Sequence, residues 1–129
     1  MAQGVNEAVD LSTAELAYLG DAVFELMVRD MLLNQNVPFG ALNRRAKAYV
    51  SAVAQAGMYH KIFPGLSQRE QAAIKRGRNL HNVSRSKNAD VSAYRHATGL
   101  EALFGHLYHN GEMERLMEVF AMCVEEIEQ

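Results

Sequence analysis

Residues 16–25 of the chain read Leu16-Ala17-Tyr18-Leu19-Gly20-Asp21-Ala22-Val23-Phe24-Glu25. This stretch belongs to a longer segment, residues 11–33, in which apolar side chains occupy almost every direction around a helix axis. The segment also carries a helix start signal, because Ser12 is suited to be the N-cap and Glu15 stands at the capping-box position. It therefore predicts a long helix that is buried in the centre of the protein.

The rest of the chain also shows the apolar spacing of helices, with no strand-like alternation of useful length. Four more helices are predicted: residues 41–62, 66–76, from Asp90 or Ser92 to Asn110, and 112–127. The third helix has Ser67 as N-cap and Glu70 at the capping-box position. The last helix is expected to turn five apolar residues inward: Met113, Leu116, Met117, Phe120 and Val124. A chain of 129 residues with this pattern predicts one all-α domain over 1–129.

Residues 77–90 break the helical pattern, because they are polar, rich in Asn and Ser, and without a period. We predict a long basic loop here, and loops of this length in compact domains are often functional. Between Arg69 and Lys87 six basic residues stand against one acid, whereas the tail from Glu112 to Glu128 has six acids against one arginine. Two solvated helical faces of opposite sign would give the same pattern, so charge alone leaves both interpretations open.

Several classes of protein are excluded by composition. The net charge is −2, which argues against a generic nucleic-acid binder. The single cysteine, Cys123, cannot form an internal disulfide and is expected to be a small buried apolar residue. There is no apolar run of about 18 residues, and the N-terminus lacks the basic and apolar segments of a signal peptide. We therefore expect a cytoplasmic protein without a membrane partner.

Two acidic residues do not fit a plain helical bundle. Asp21 lies on the most apolar helix, where a lone carboxylate is costly unless it is paired, protonated or bound to a cation. A salt bridge to one of three arginines would also explain it: Arg44, Arg45 or Arg95. Glu101 lies at the edge of another apolar stripe, with small neighbours that leave space beside it. The two carboxylates could converge on one hard cation, although a solvated Glu101 is the simpler alternative.

The basic loop makes a cation site more attractive. Cations held by carboxylates can bind a scissile phosphate and activate water, while basic groups neutralise the neighbouring phosphates. The combination therefore favours phosphodiester hydrolysis. Few aromatic side chains lie near the loop, which favours recognition of a duplex backbone over stacking on single-stranded bases.

The stretch from Leu16 to Glu25 resembles the signature helix of the ribonuclease III catalytic domain. A second stretch, Ala97-Thr98-Gly99-Leu100-Glu101-Ala102-Leu103-Phe104-Gly105, resembles the second acidic helix of that domain. Two further segments look like the Mini-ribonuclease III subfamily: Lys75-Arg76-Gly77-Arg78-Asn79, and Tyr94-Arg95-His96-Ala97-Thr98-Gly99. The chain ends shortly after the last predicted helix, so we expect no double-stranded-RNA-binding domain.

The resemblance implies an all-helical ribonuclease III fold and a homodimer with one cleavage centre per subunit in a shared valley. It implies cleavage of double-stranded RNA with Mg²⁺, leaving 5′-phosphate and 3′-hydroxyl ends, with Asp21 and Glu101 as metal ligands and catalytic residues. The implied substrate is the precursor of 23S ribosomal RNA, with a ribosomal protein as an accessory partner. Six residues are candidate RNA contacts: Lys75, Arg76, Arg78, Asn79, Arg85 and Lys87.

The chain departs from full-length ribonuclease III at two acidic positions. Ala17 stands where that family has a glutamate, and Thr98 stands where it has an aspartate. Binding of a second cation in each subunit is therefore in question. Glu25 could orient a metal-bound water, or it could form an i,i+4 pair with Arg29. Two other function classes remain open: a non-catalytic RNA-binding or ribosome-assembly module, and a helical dimerisation module whose acidic last helix docks a basic partner.

Overall fold

The structure, a computed structural model, describes residues 9–80 and 90–125. Six α-helices lie within these ranges: α1 (Thr13–Asn34), α2 (Leu42–Val50), α3 (Ala52–Ile62), α4 (Gln68–Arg78), α5 (Val91–His109) and α6 (Met113–Val124). Two short 3₁₀ turns, Phe39–Ala41 and Phe63–Gly65, precede α2 and follow α3. The prediction of an all-α fold is confirmed. Within the described ranges, no helix combines the length and apolarity that spanning a membrane requires.

The predicted helix starts are confirmed at three places. The Ser12 hydroxyl accepts a hydrogen bond from the Glu15 backbone N–H, and the Glu15 carboxylate accepts one from the Ser12 N–H. Ser67 and Glu70 form the same reciprocal pair at the start of α4. Of the two candidate caps for α5, Asp90 is the one used, because its carboxylate accepts from Ser92 N at 3.0 Å.

The prediction of one continuous helix over residues 41–62 is wrong, because the chain forms two helices there, α2 and α3. Ser51 has an extended backbone, with φ −67° and ψ 156°, and its hydroxyl accepts from Ala54 N at the start of α3. Val53, two residues after the break, is apolar and 74% exposed. The α4 helix extends to Arg78, so the predicted loop 77–90 begins later than expected. The central part of that loop, residues 81–89, lies outside the described residues.

The α5 helix, and not α1, lies at the centre of the fold, where it packs against α1, α3, α4 and α6. Only one side of α1 is buried, which makes the prediction of a central first helix wrong. The opposite side exposes large apolar side chains, including Tyr18 at 85% and Leu26 at 67%. The prediction failed because a helix that is apolar all round has two apolar sides, and the other helices of this chain cover one of them.

The core is closed by aromatic packing between three helices. Phe24 of α1, Phe104 of α5 and Phe120 of α6 contact one another edge to face, with ring centroids 5.1 to 6.3 Å apart. On α6 the predicted inward set is partly wrong, because Met113 and Met117 are exposed and Val119 and Cys123 are buried instead. Cys123 is a buried thiol, as predicted, and its burial raises its pKa to about 12.

The α1 and α5 helices approach each other so closely that their contact is made by glycines. A Cβ atom added at Gly20 would overlap the backbone carbonyl of Glu101, and one added at Gly105 would overlap the carbonyl of Leu16. A second glycine pair, Gly77 and Gly99, allows the same approach between α4 and α5. Because Gly20 precedes Asp21 and faces the Glu101 backbone, this contact brings the two acidic residues together.

The acidic end of the chain is tied to the first half of α4. The buried Glu70 carboxylate accepts two hydrogen bonds from Arg115 of α6, at 2.8 and 2.9 Å, and the pair lowers the pKa of Glu70. Arg69 donates to both oxygens of Glu112 at 2.9 Å. Lys75 lies six residues further along α4, roughly 9 Å away at 1.5 Å per residue. Glu112, the first acid of the tail, therefore pairs with the start of α4, at the end of that helix opposite to Arg78.

Candidate functional site

Asp21 and Glu101, the two predicted catalytic residues, are brought together by the contact between α1 and α5. Asp21 is exposed and Glu101 is half-buried. The two side chains lie within hydrogen-bonding reach of each other, and the negative charge of Asp21 acts directly on the Glu101 carboxyl. The predicted convergence of two carboxylates from two helices is therefore found in the geometry.

The environment of Glu101 strongly disfavours a negative charge there. Burial is the largest cause, and the neighbouring Asp21 adds to it, so that the pKa of Glu101 is raised to about 8. A hydrogen bond from the side-chain amide of Gln55 acts in the opposite direction. A cation that binds at Glu101 therefore competes with a proton.

No basic side chain neutralises this pair among the described residues. The alternative salt bridges from Asp21 to Arg44, Arg45 or Arg95 do not form. Glu25, by contrast, pairs with Arg29 at 2.7 Å, which was the alternative to orienting a metal-bound water.

The donor set fits a hard divalent cation. Carboxylate and amide oxygens are the ligands that Mg²⁺ prefers, and Mg²⁺ keeps several waters when the protein supplies only one or two carboxylates. Within residues 9–80 and 90–125, no group of three His, Cys, Asp or Glu side chains could hold a metal ion. The site therefore supplies two carboxylates and, beside them, the amide of Gln55.

A cavity of about 570 Å³ opens beside Glu101. Its wall includes Ala17 and Thr98, the two positions at which this chain lacks the acidic residues of full-length ribonuclease III. The Thr98 hydroxyl is occupied by a hydrogen bond to the Tyr94 carbonyl at 2.9 Å. The region next to Glu101 is an open cavity lined by both polar and apolar groups, with room for a group of the size of a phosphate and its waters.

Four of the six predicted RNA contacts lie at the C-terminal end of α4 or directly after it, just before a residue of the cavity wall. Lys75, Arg76 and Asn79 are exposed, and Leu80, which follows them, lines the cavity. Arg78 is half-buried and held in place, because it donates to the Tyr59 hydroxyl at 3.3 Å and to the Asn79 side chain at 3.1 Å. The other two predicted contacts, Arg85 and Lys87, lie outside the described residues.

Four residues at or near the site were missed from the sequence. Gln55 is buried and forms a side-chain hydrogen bond with Glu101. The Tyr59 hydroxyl accepts a hydrogen bond from Arg78 and so holds that side chain in place. Arg95 and His96 line a cleft beside the end of α4. Gln55 could have been found, because it opens an i, i+3, i+4, i+7 stripe in which every other member is apolar: Gln55, Met58, Tyr59 and Ile62. A polar residue on a buried stripe indicates a specific partner.

This chain is similar to known proteins over most of its length. The family model of the ribonuclease III domain matches residues 14–112. Mini-ribonuclease 3 of Symbiobacterium thermophilum is 44% identical over 115 residues, which cover 88% of each chain. Mini-ribonuclease 3 of Enterococcus faecalis is 42% identical over 121 residues, which cover 91% of each chain. These relatives span nearly the same length as this chain.

A solved structure has the same fold. An X-ray crystal structure of a protein from Fusobacterium nucleatum superposes with a TM-score of 0.79 at 32% identity, covering 91% of this chain and 94% of that one. The range that the family model matches, residues 14–112, includes Asp21 and Glu101. The chain therefore belongs to the ribonuclease III domain family, and it is an endoribonuclease.

Proposed function

We propose that this endoribonuclease cleaves double-stranded RNA with Mg²⁺ and leaves 5′-phosphate and 3′-hydroxyl ends. The observation that carries the proposal is the pairing of Asp21 with Glu101 without a basic partner beside an open cavity. A carboxylate pair of this kind is costly to ionise alone and becomes favourable when a divalent cation binds. When bound, the cation would hold the scissile phosphate and lower the pKa of a water molecule.

The choice of a duplex substrate is supported by the chemistry beside the cavity. The C-terminal turn of α4 presents Lys75, Arg76 and Arg78, which suit phosphate groups. Among the described residues, Tyr94 is the only aromatic one that lines the cavity, so they offer little surface for stacking unpaired bases. We further propose, from the resemblance to Mini-ribonuclease III, that the enzyme acts in the cytoplasm on the precursor of 23S ribosomal RNA. A ribosomal protein would be its accessory partner.

A cleavage assay tests this function directly. Wild-type protein is incubated with a long double-stranded RNA at low salt, either with Mg²⁺ or with a chelator. We expect cleavage with Mg²⁺ alone, and products that a 5′-phosphate-dependent exonuclease degrades. Binding of the duplex without cleavage under either condition would support a non-catalytic RNA-binding module instead. Failure to bind the duplex would contradict both.

The exposed apolar side of α1 supports a homodimer. Besides Tyr18 and Leu26 it includes Leu33, and next to it lies an apolar groove of about 350 Å³ between α1 and the start of α6. The groove is lined by Leu19, Ala22, Val23, Leu26, Met27, Tyr108, Met113, Leu116 and Met117. Monomers rarely expose a contiguous apolar surface of this kind. We propose that a second copy covers it and so places two cleavage centres in one assembly.

Substitution of Leu26 by glutamate should break this dimer. Leu26 is 67% exposed and lines the groove, so a charged side chain there costs the protomer little but would be buried unpaired in the interface. Light scattering should give twice the protomer mass of 14.4 kDa for the wild type and the protomer mass for Leu26→Glu. The matched control is Val53→Glu, an equally exposed apolar position on α3, which should remain dimeric. A wild-type mass of one protomer would refute the dimer.

A further inference from the structure

A small basic cleft lies next to the catalytic cavity, between the end of α4 and the start of α5. It has a volume of about 250 Å³ and is lined by Arg78, Asn79, Val91, Ser92, Arg95 and His96. His96 precedes Glu101 by five residues on α5, roughly 7.5 Å along the helix axis. Its neighbours Tyr94 and Thr98 line the catalytic cavity. Asn79 lines the cleft, and Leu80, the next residue, lines the catalytic cavity, so the two openings adjoin each other at the end of α4.

Arg78 and Arg95 give the cleft its positive charge. Arg78 is oriented by the Tyr59 hydroxyl and by the Asn79 side chain, and these bonds use only two of its N–H groups. Arg95 is exposed, and it forms no ion pair among the described residues. Two guanidinium groups around one cleft suit a phosphate group, since arginine can present several donors to its oxygens.

His96 adds a hydrogen-bond acceptor to this basic cleft. Its Nδ1 lies 2.7 Å from the Ser92 carbonyl, which can only accept, so Nδ1 carries the proton in the neutral ring. Nε2 forms no hydrogen bond to the described residues, and none of their buried side-chain nitrogen or oxygen atoms lacks a partner. Among the described residues, the Nε2 lone pair therefore has no partner, and it can accept a hydrogen bond from a ligand.

The ring of His96 is fixed in position by its neighbours. The buried Tyr59 ring contacts it edge to face at 4.5 Å, and the His60 ring packs on it at 4.5 Å. Tyr59 thus orients both Arg78, through its hydroxyl, and His96, through its ring. The cleft thus combines two guanidinium groups with a rigidly held hydrogen-bond acceptor. A ligand that is complementary to it carries a hydrogen-bond donor close to a phosphate group.

The RNA backbone has such a donor in its 2′-hydroxyl, which is the group that distinguishes RNA from DNA. We propose that the cleft holds one nucleotide of the substrate backbone, with the phosphate between Arg78 and Arg95 and the 2′-hydroxyl donating to Nε2 of His96. This inference rests on the proposed function and deepens it, because it assigns to His96 the recognition of ribose. No bond is made or broken at the cleft.

A binding experiment in chelator separates this inference from catalysis. Fluorescence anisotropy is measured with two duplexes of one sequence, one of ordinary RNA and one with 2′-fluoro groups, which keep the A-form geometry and remove the hydroxyl donor. His96→Phe keeps a ring against Tyr59 and removes both nitrogens. We expect it to lower the preference for ordinary RNA by about 5- to 10-fold, the range for one hydrogen bond.

Three comparisons complete the experiment. His109→Ala, at the other end of α5, should leave the preference unchanged, and thermal unfolding should show that every variant is folded. Arg95→Gln should lower the affinity for both duplexes equally. It should also reduce the salt dependence of that affinity by about one phosphate contact. The inference is overturned if His96→Phe lowers the affinity for both duplexes by the same factor, or if it changes the affinity for neither duplex. Wild-type protein that binds but never cleaves refutes the proposed nuclease and leaves this test intact.

Discussion

Gly20→Ala should destabilise the protein by about 3 kcal/mol or more, at the upper end of the range for overpacked cores. The added Cβ would overlap the backbone carbonyl of Glu101, and a helix backbone cannot move aside as a flexible side chain can. The two helices would have to separate, which opens the core and moves Asp21 away from Glu101. The measurement is the free energy of unfolding by urea.

Gly57→Ala is the matched control for that substitution. Gly57 lies in the interior of α3, and a Cβ added there meets nothing within 4 Å. Because alanine favours a helix over glycine by about 1 kcal/mol, this variant should be as stable as wild type or slightly more stable. Equal stability of Gly20→Ala and wild type would contradict the close backbone contact between α1 and α5.

Glu101→Gln should lower RNA cleavage by about 10²-fold to 10³-fold or more, because a bound cation supplies several kcal/mol of transition-state stabilisation. The amide keeps the size of the side chain and removes its charge. Glu114→Gln, which changes an exposed acid on α6, should cleave at the wild-type rate. If Glu101→Gln cleaved RNA at nearly the rate of Glu114→Gln, the result would contradict a catalytic role for Glu101.

The same substitution should change how cation binding depends on pH. Burial and Asp21 raise the pKa of Glu101 to about 8, so a cation competes with a proton below that pH. Affinity for Mn²⁺, measured by titration calorimetry, should therefore rise for wild type between pH 6 and pH 8. This rise should be much smaller in Glu101→Gln, which has no proton to displace at that position. An equal rise in both proteins would contradict the assignment.

Much of the fold was predictable because its signals are local. The capping boxes at Ser12 and Ser67 involve residues three apart, and such pairs act within one turn of a helix. The break at Ser51 was not predictable in the same way. It lacks the proline or glycine that usually marks a helix end, and the apolar spacing continues across it.

The candidate site was predictable for its charged residues and not for the groups that support them. Asp21 and Glu101 stood out because an acid on an apolar helix needs an explanation. The role of His96 depends on which ring nitrogen faces its own helix and on the contact with Tyr59, and both are properties of tertiary packing. The burial of only one side of α1 likewise depends on how the helices pack, which apolar periodicity cannot specify.

The measurement that tests the central claim most directly compares wild type with Asp21→Asn on one long double-stranded RNA, at low salt, with Mg²⁺ and with chelator. The account predicts that wild type cuts only with Mg²⁺, and that Asp21→Asn binds the duplex with similar affinity and does not cut it. Cleavage by Asp21→Asn at the wild-type rate would contradict the assignment of the carboxylate pair as the cation site. Cleavage by wild type in chelator would contradict its dependence on a cation.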